Sequence, residues 1–327
     1  MRGTFDYSIT FPNSKNAEKF AVYQGQVQSV ERYFEQWLVA KKPHISASTH
    51  NGYKKIINGV IIPSFGAVRL IDLSTRDVKH VFSKMNVSNK RFSNILSVIR
   101  SAMADAHQDE IIDHNPFANW TYRRKEKVQT KSKIDPFTAD EQQLLLAACE
   151  GAERNQLLVF LWTGLRTSEL IALTWKDVDF KKRTLKVYKA TTYAAKGEAE
   201  VPKTNSGNRT IQLLQPAYDA LMDQKRLTRL AGGPVFVSPY TGEQWQGDSY
   251  IRYEWEKLLE RAGVKYRKPY QTRHTYASMM LSAGEHPMWV ANQMGHSDWT
   301  MIAKVYGKWM PDANKQAGEK AVNLFSK

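Results

Sequence analysis

The stretch Thr163-Gly164-Leu165-Arg166-Thr167-Ser168-Glu169-Leu170 joins two predicted helices near the middle of the chain. The run before it, residues 157–162, is apolar on every side and predicts a buried helix. Gly164 ends that helix, so Arg166 lies at the edge of a core with Glu169 three residues on, within reach of its guanidinium. A guanidinium suits a phosphate because its planar fork donates two hydrogen bonds and stays charged. A structural Arg–Glu pair that caps a helix is the alternative interpretation.

A second polar group begins at Tyr270-Gln271-Thr272-Arg273-His274. Tyr270 and Arg273 are three residues apart, so they share a face of the helix that starts after Pro269. His274 is expected to point elsewhere and to be a packing histidine.

A third group lies around Gly295-His296-Ser297. Gly295 fits the left-handed position that ends a helix, which places His296 on a tight elbow, and Ser297 can cap the next helix. By spacing, the stripe on that next helix predicts a buried face made of Trp299, Ile302, Ala303 and Tyr306. Pattern alone makes Tyr306 a core tyrosine.

Composition favours a polyanionic partner. The chain has 327 residues, nine Trp and a formal charge of +15, a surplus typical of nucleic-acid binding. Cys149 is the only cysteine, which excludes a disulfide framework and a cysteine-based zinc site, and its apolar neighbours predict a small core residue. The histidines show no metal-ligand spacing, so we expect no metal and no cofactor. No apolar run approaches the ~18 residues of a membrane span, and the N-terminus lacks a signal-peptide core, so a cytosolic setting is expected.

The chain before residue 122 predicts a small domain of four helices, residues 27–121. Ser46 or Ser48 can cap the second helix, which Pro63 is expected to stop, and Ser74 opens the third. Basic side chains on the polar faces form a candidate DNA-binding set only when taken together. Those in the set are Lys54, Lys55, Lys90, Arg91 and Arg100.

Residues 122–135 predict a basic linker, because residues 122–133 carry six basic side chains against one acidic one without an apolar period. Such a strap suits the phosphates of a duplex, since each neutralised phosphate releases counterions; a merely solvated linker is the alternative. Its candidate DNA-binding residues are Arg123, Arg124, Lys125, Lys127 and Lys131.

Residues 136–327 predict a second, mainly helical domain. Thr138 and Glu141 form a capping-box pattern before an apolar run. Two short segments, residues 184–188 and 210–213, read as strands, the second being the return arm of a hairpin with its tip at 205–208. The fold class is therefore mainly α, with a small antiparallel sheet in the second domain.

The order of these motifs resembles the tyrosine recombinase (phage integrase) family. The matching words are Thr163 to Leu170, Pro202-Lys203-Thr204, Tyr270 to Ser278, Met294-Gly295-His296-Ser297 and Val305-Tyr306-Gly307. Each motif is weak alone, but five in the right order are specific. The resemblance covers roughly residues 27–310 and implies that residues 27–121 bind the core site and that 136–327 are catalytic. Residues 1–26 resemble the tail, or a remnant, of an arm-site-binding domain.

The resemblance implies a role for each motif residue. Arg166 and Arg273 would clamp the scissile phosphate, with Glu169 supporting the first of them, and His296 would donate to a non-bridging oxygen. Lys203 resembles the general acid for the leaving 5′-oxygen. Tyr306 would be the nucleophile that forms a 3′-phosphotyrosyl link.

Two positions depart from the family pattern. The family usually has histidine where Tyr270 stands, and a phenol is a poor general base near neutral pH. Tyr270 could donate to the phosphate or hold Tyr306, which leaves His296 or water as the base. Lys203 shares its strand-turn-strand region with Lys196 and Arg209, and its place in the hairpin favours Lys203.

The expected function is site-specific recombination by an integrase of a prophage or integrative element. The resemblance implies a homotetramer on two DNA attachment sites, with DNA-bending or directionality proteins as accessory partners, in a bacterial cytoplasm. A type IB-like topoisomerase and a catalytically inactive DNA-binding regulator are the alternatives. The tail 311–327 either docks on a neighbouring subunit or frays.

Overall fold

A computed structural model describes Ser14 and residues 28–125, 134–191, 199–200, 207–230 and 232–310. The chain divides into two compact units, residues 1–130 and 131–327. The predictions that lie outside the described residues are the arm-site tail 1–26 apart from Ser14, the side chains Lys127, Lys131, Lys196 and Lys203, and the segment 311–327. In the described part, no helix has the length and apolarity needed to cross a membrane.

The first unit is built from helices around one apolar core. Its helices are α1 (Val30–Lys41), α2 (Ala47–Ile56), α3 (Ile62–Phe65), α4 (Thr75–Lys84) and α5 (Asn89–Gln108). Ser46 caps α2, and Ser74 forms a capping box with Asp77 at α4, as their positions before apolar runs predict. The apolar stripes of α1 and α5 meet in the core, where Phe34 and Ile99 are fully buried.

The second helix continues past the point where proline was expected to stop it. A π-helical segment, Ile57–Ile61, follows α2 directly and leads into α3. There the Ile62 N–H donates to the Ile57 carbonyl, a wider turn than an α-helix makes. The wide turn accommodates Pro63, which has no N–H to donate and would clash in a regular helix. The prediction that Pro63 ends this helix was therefore wrong.

Residues 117–124 pack back on the first unit. Arg100 donates to the carbonyls of Phe117 and Trp120. Tyr122 packs its ring edge-on against Phe92, with ring centroids 5.0 Å apart. The segment predicted to begin the linker thus belongs, at its start, to the core of the first unit.

The second unit is built around a central helix, α7 (Gly151–Thr163). Its other helices in the described residues are α6 (Ala139–Ala147), α8 (Thr167–Ile171), α9 (Gln215–Thr228), α10 (Asp248–Arg261), α11 (Gln271–Ser282), α12 (Pro287–Met294) and α13 (Thr300–Tyr306). The predicted capping box of Thr138 and Glu141 starts α6. Trp162 on α7 packs against three apolar clusters of this unit. The apolar second half of α7, residues 157–162, is buried or half-buried among these clusters, as its sequence predicts.

The sheet of the second unit is small and antiparallel. Its strands β1 (Val178–Asp179), β2 (Thr184–Val187) and β5 (Arg209–Gln212) lie in the order β1-β2-β5. A separate ribbon pairs β3 (Ala190–Thr191) with β4 (Ala199–Glu200). Leu185 lies opposite Ile211, and both side chains are fully buried. The mainly helical fold class with a small antiparallel sheet is confirmed.

Candidate active site

Gly164 brings Arg166 to the end of the central helix. Gly164 adopts a left-handed conformation with φ 64° and ψ 19°, which ends α7 and turns the chain into α8. A Cβ atom there would lie 2.6 Å from Cδ1 of Tyr276, so glycine is also required by packing. Arg166 is the N-cap residue of α8, and its guanidinium Nη1 donates to Glu169 Oε1 at 2.6 Å.

Glu169 is held by a second arginine that lies far away in the sequence. Arg209, at the start of β5, donates from Nη1 and Nη2 to the two carboxylate oxygens of Glu169 at 3.1 and 2.9 Å. Its Nε donates to the Gln293 carbonyl at 2.8 Å, which ties β5 to α12. From the sequence, Arg209 was identified only as a basic neighbour of Lys203. No pattern in its own segment predicts the ion pair with Glu169, which lies 40 residues away.

The ion pairs around Glu169 keep it charged. Burial by itself would raise the pKa of this carboxyl, but the hydrogen bonds and charges of Arg209 and Arg166 outweigh burial and lower the pKa to about 2. The carboxylate is 4% exposed and accepts from both arginines. One carboxylate therefore orients two guanidinium groups at the edge of the site.

Arg273 is almost completely buried, with 1% of its surface exposed. Its Nη1 donates to the Gly164 carbonyl and its Nη2 to the Met294 carbonyl, both at 2.6 Å. These carbonyls lie at the C-terminal ends of α7 and α12, where helix carbonyls lack partners and carry partial negative charge. Its Nε is buried without a hydrogen-bond partner among the described residues. Burial, followed by the charge of Arg166, lowers the pKa of Arg273, which still stays charged at neutral pH.

His296 reaches the site from the elbow after α12. Gly295 is left-handed at φ 72° and ψ 45°, and the His296 N–H donates to the Ala291 carbonyl at 3.0 Å, which closes a Schellman motif. His296 Nε2 lies 3.1 Å from Arg273 Nη2. Burial, then the charges of Arg273, Arg166 and Arg209, lower the pKa of His296 to about 4.

The helix after the elbow is capped differently from the prediction. Thr300 donates its N–H to the side chain of Asp298 at 2.7 Å, so Asp298 takes the role expected of Ser297. Trp299 is 47% exposed and lies outside the buried stripe, because the helix begins only at Thr300. Ile302 and Tyr306 are buried as predicted.

Tyr306 is buried, with its hydroxyl against an imidazole. The side chain is 3% exposed, and its hydroxyl oxygen lies 2.6 Å from Nδ1 of His274. The expectation that His274 points away from the site was wrong, because α13 packs on the face of α11 that carries His274. Burial raises the pKa of Tyr306, while the charge of Arg273 acts in the opposite direction. Sequence reasoning missed His274 because its partner lies 32 residues away.

Tyr270 lies at the open side of the site. It is 44% exposed, and its ring meets the His274 ring edge-on at 5.1 Å between centroids. Together with Arg166, Ser168 and Lys268 it lines an open cleft of about 300 Å³. The side chain of Arg166 is 35% exposed and therefore opens to this cleft beside the buried part of the site.

The structure therefore gathers most of the predicted catalytic set in the second unit. Arg166 is hydrogen-bonded to Glu169, and Arg273 lies within hydrogen-bond distance of His296. The positive charge of Arg273 also acts on Tyr306, where it opposes the effect of burial on the pKa. Lys203 lies outside the described residues. Across the described ranges no group of three or more His, Cys, Asp or Glu side chains could hold a metal ion.

The candidate DNA-binding side chains of the first unit differ in exposure. Lys54, Lys55, Lys90, Arg123 and Lys125 are exposed, and Arg91 is half-buried. Arg100 is half-buried and donates to the carbonyls of Phe117 and Trp120, so it does not belong to the proposed DNA-facing set.

Arg124 is turned inward. Its Nη1 donates to the Met85 carbonyl at 2.8 Å and its Nη2 to the carbonyls of Phe82 and Ser83. The guanidinium also lies over the Phe92 ring, 5.2 Å from its centroid. The carbonyls at the C-terminal end of α4 carry partial negative charge and attract the guanidinium, so Arg124 does not belong to the proposed DNA-facing set.

Comparison with known proteins places this site in a family. Residues 136–310 match the phage integrase family, and residues 29–86 match its N-terminal SAM-like domain. A relative in Escherichia coli K12, named "Putative defective protein IntQ", is 30% identical over 95% of this chain and 87% of its own length. The chain belongs to the phage integrase family. It is a tyrosine recombinase, from a family of enzymes that cut and rejoin DNA in site-specific recombination.

Solved structures share the fold of this integrase. A Tn1549 transposon integrase in complex with a circular intermediate DNA superposes with a TM-score of 0.72 at 21% identity, covering 91% of this chain and 99% of that one. A lambda integrase tetramer bound to a Holliday junction superposes with a TM-score of 0.64 at 15% identity, covering 88% of this chain and 83% of that one. The family resemblance expected from the sequence motifs is confirmed.

Proposed function

We propose that this recombinase cuts DNA by attack of the Tyr306 hydroxyl on a phosphodiester held by Arg166 and Arg273. The observation that carries the proposal is the position of Arg273. Arg273 is buried, its Nη2 lies 3.1 Å from Nε2 of His296, and its charge opposes the rise that burial causes in the pKa of Tyr306. The proposed nucleophile and a candidate phosphate ligand therefore share one buried cation. A fixed cation in a site with little water stabilises negative charge that develops in the transition state far better than it would in water.

The reaction balances without a cofactor. A bond forms between the Tyr306 oxygen and phosphorus, and the bond from phosphorus to the 5′-oxygen breaks. The phenol loses its proton, and the 5′-oxygen gains one from a general acid, for which Lys203 is the family-based candidate. The 3′-phosphotyrosyl link keeps the energy of the phosphodiester, so the reverse attack by a 5′-hydroxyl rejoins a strand.

The side chains around the proposed phosphate position would have different roles. Arg166 is fixed by Glu169, and Arg273 by two helix-end carbonyls, so little reorganisation is needed when a phosphate arrives. His296, neutral at neutral pH, can donate a hydrogen bond to a non-bridging oxygen. Tyr270 is placed to contact a phosphate entering through the cleft.

We further propose that the first unit holds the core site. Lys54, Lys55, Lys90 and Arg91, with Arg123 and Lys125, would bind backbone phosphates, and Lys127 and Lys131 would extend this contact along the linker. The surplus of +15 supports a duplex partner. Of the predicted boundaries at residues 27–121, 122–135 and 136–327, the start of the linker would move to a point after Arg124, because Tyr122 and Arg124 pack on the first unit. The lambda integrase tetramer bound to a Holliday junction supports a homotetramer. We propose that this homotetramer acts on two attachment sites of a mobile element in a bacterial cytoplasm.

A nicked suicide duplex tests the chemistry. Binding-site selection with the purified chain supplies the duplex, and a nick just beyond the scissile phosphate lets the short strand diffuse away and traps the covalent product. The wild type is expected to give a protein–DNA band that survives denaturation, and Tyr306→Phe none. Tyr253→Phe, which removes the hydroxyl of an exposed tyrosine on α10, is the matched control and should keep the band.

A catalytically inactive regulator is the competing function, and the tyrosine at position 270 favours it. Wild-type protein that binds the selected duplex but never forms a covalent band would support the regulator and refute the recombinase mechanism.

A further inference from the structure

His274 is the one imidazole that contacts Tyr306 among the described residues. Its Nδ1 lies 2.6 Å from the Tyr306 hydroxyl oxygen, within hydrogen-bond distance, and the two rings are 5.6 Å apart between centroids. His296, the other imidazole of the site, lies 3.1 Å from Arg273 and turns towards that cation. The contact with the attacking atom is therefore made by His274.

The helix α11 explains how His274 reaches this position. Tyr270 and His274 are four residues apart, one helical turn, so their side chains share a face. The imidazole of His274 lies between Tyr270 and Tyr306.

The surroundings keep both partners neutral before DNA arrives. The titratable or charged side chains that contact or act on His274 within the described part are Tyr270 and Arg273 on α11 and Tyr306 on α13. Burial, then the charge of Arg273, lowers the pKa of His274 to about 4, so its ring is unprotonated at neutral pH and Nδ1 is free to accept in one tautomer. Burial raises the pKa of Tyr306, so the phenol keeps its proton.

We propose that His274 is the general base that removes the proton from Tyr306 during strand cleavage, an inference that rests on the proposed function above. As the tyrosine oxygen bonds to phosphorus and the 5′-oxygen leaves, the phenolic proton moves to Nδ1 of His274. The imidazolium then returns that proton to the phenol when a 5′-hydroxyl attacks the phosphotyrosine and the tyrosine leaves. His274 is thus the base of cleavage and the acid of rejoining.

We expect DNA binding to favour the proton transfer from Tyr306 to His274. A phosphate bound at Arg273 offsets the positive charge that lowers the pKa of His274, so its basicity rises only when substrate is present. At the same time, the developing bond to phosphorus makes the phenol more acidic. The free enzyme therefore keeps Tyr306 protonated and unreactive until a phosphodiester is in place.

Two substitutions separate proton transfer from mere positioning. His274→Asn keeps a short amide that can hydrogen-bond where Nδ1 stands but cannot take a proton, while His274→Ala removes both functions. Single-turnover rates of covalent product are measured from pH 5 to 9 on the nicked duplex. A second duplex carries sulfur in place of the scissile 5′-oxygen, because a leaving thiolate needs no general acid.

Loss of a general base is expected to slow cleavage by about 10²-fold or more near pH 7. His274→Asn and His274→Ala should both show this loss on the oxygen and the sulfur duplex, and their rates should rise tenfold per pH unit as hydroxide replaces the base. A Lys203→Ala variant should recover on the sulfur duplex. Duplex affinity by fluorescence anisotropy and the thermal midpoint should stay near the wild-type values for His274→Asn.

A wild-type rate and pH profile in His274→Asn, or recovery of that variant on the sulfur duplex, would overturn the assignment of the base while leaving the recombinase mechanism standing. Absence of covalent product with wild-type protein would instead overturn the mechanism and this inference together.

Discussion

The ion pairs around Glu169 give a stability prediction whose size follows from the structure. Replacing Glu169 by glutamine removes the carboxylate that Arg166 and Arg209 share and leaves both guanidinium groups without an ion-pair partner among the described residues. Its pKa is lowered from 4.5 to about 2 in the folded protein, which corresponds to about 3 kcal/mol at about 1.4 kcal/mol per pKa unit. A buried pair that loses one partner typically costs about 3–5 kcal/mol, so the two routes agree.

The stabilisation that Glu169 contributes should decrease as the pH falls. Because the folded pKa lies below the unfolded value of 4.5, the stabilisation by Glu169 is fully present above pH 4.5 and is lost as pH falls towards 2. The difference between wild type and Glu169→Gln should therefore be about 3 kcal/mol at pH 7 and about half of that or less at pH 3.

Differential scanning calorimetry of the full chain measures this difference. For a unit of this size about 1 kcal/mol shifts the midpoint by roughly 2–4 °C, so the transition of residues 131–327 should fall by roughly 6–12 °C at pH 7. The transition of residues 1–130 serves as an internal reference. Glu153→Gln, which breaks an exposed pair with Arg261, is the control and should cost under about 1 kcal/mol. A shift below about 2 °C for Glu169→Gln, or an equal loss at both pH values, would refute the reasoning.

Two further predictions concern packing and DNA contact. Gly164→Ala should lower the free energy of unfolding by about 2–4 kcal/mol, because it strains the backbone and places a Cβ 2.6 Å from Tyr276. The control Gly263→Ala is also left-handed, at φ 65°, but has no atom within 4 Å of the new Cβ, so it should lose only about 1 kcal/mol. Equal losses in thermal unfolding would contradict the clash. Joint replacement of Lys54 and Lys55 by alanine should weaken duplex binding and reduce the salt slope by up to about 1.8 in fluorescence anisotropy. Arg124→Ala is the control, and it should keep the salt dependence of binding but lower the thermal midpoint. A wild-type salt dependence in the Lys54/Lys55 double variant would show that neither lysine contacts DNA.

Much of the fold could be predicted because it depends on neighbours in the chain. The capping boxes at Ser74 and Thr138 and the left-handed Gly295 depend on residues within one helical turn, so their patterns are legible in the sequence. The same holds for residues 157–162 of α7, because this run is apolar on every side and is buried or half-buried in the structure. Where a local pattern failed, as at Pro63, the chain adopted a wider helical turn that few sequence signals indicate.

The sequence by itself determined the helical fold class, the order of the motifs and the presence of Arg166, Arg273, His296 and Tyr306 at helix ends. Only the tertiary structure decided which side chains meet. Arg209 binds Glu169 across 40 residues, and Tyr306 lies on His274 across 32. Such partners depend on how helices and strands pack, and no periodicity along the chain encodes the distance between two side chains on different elements.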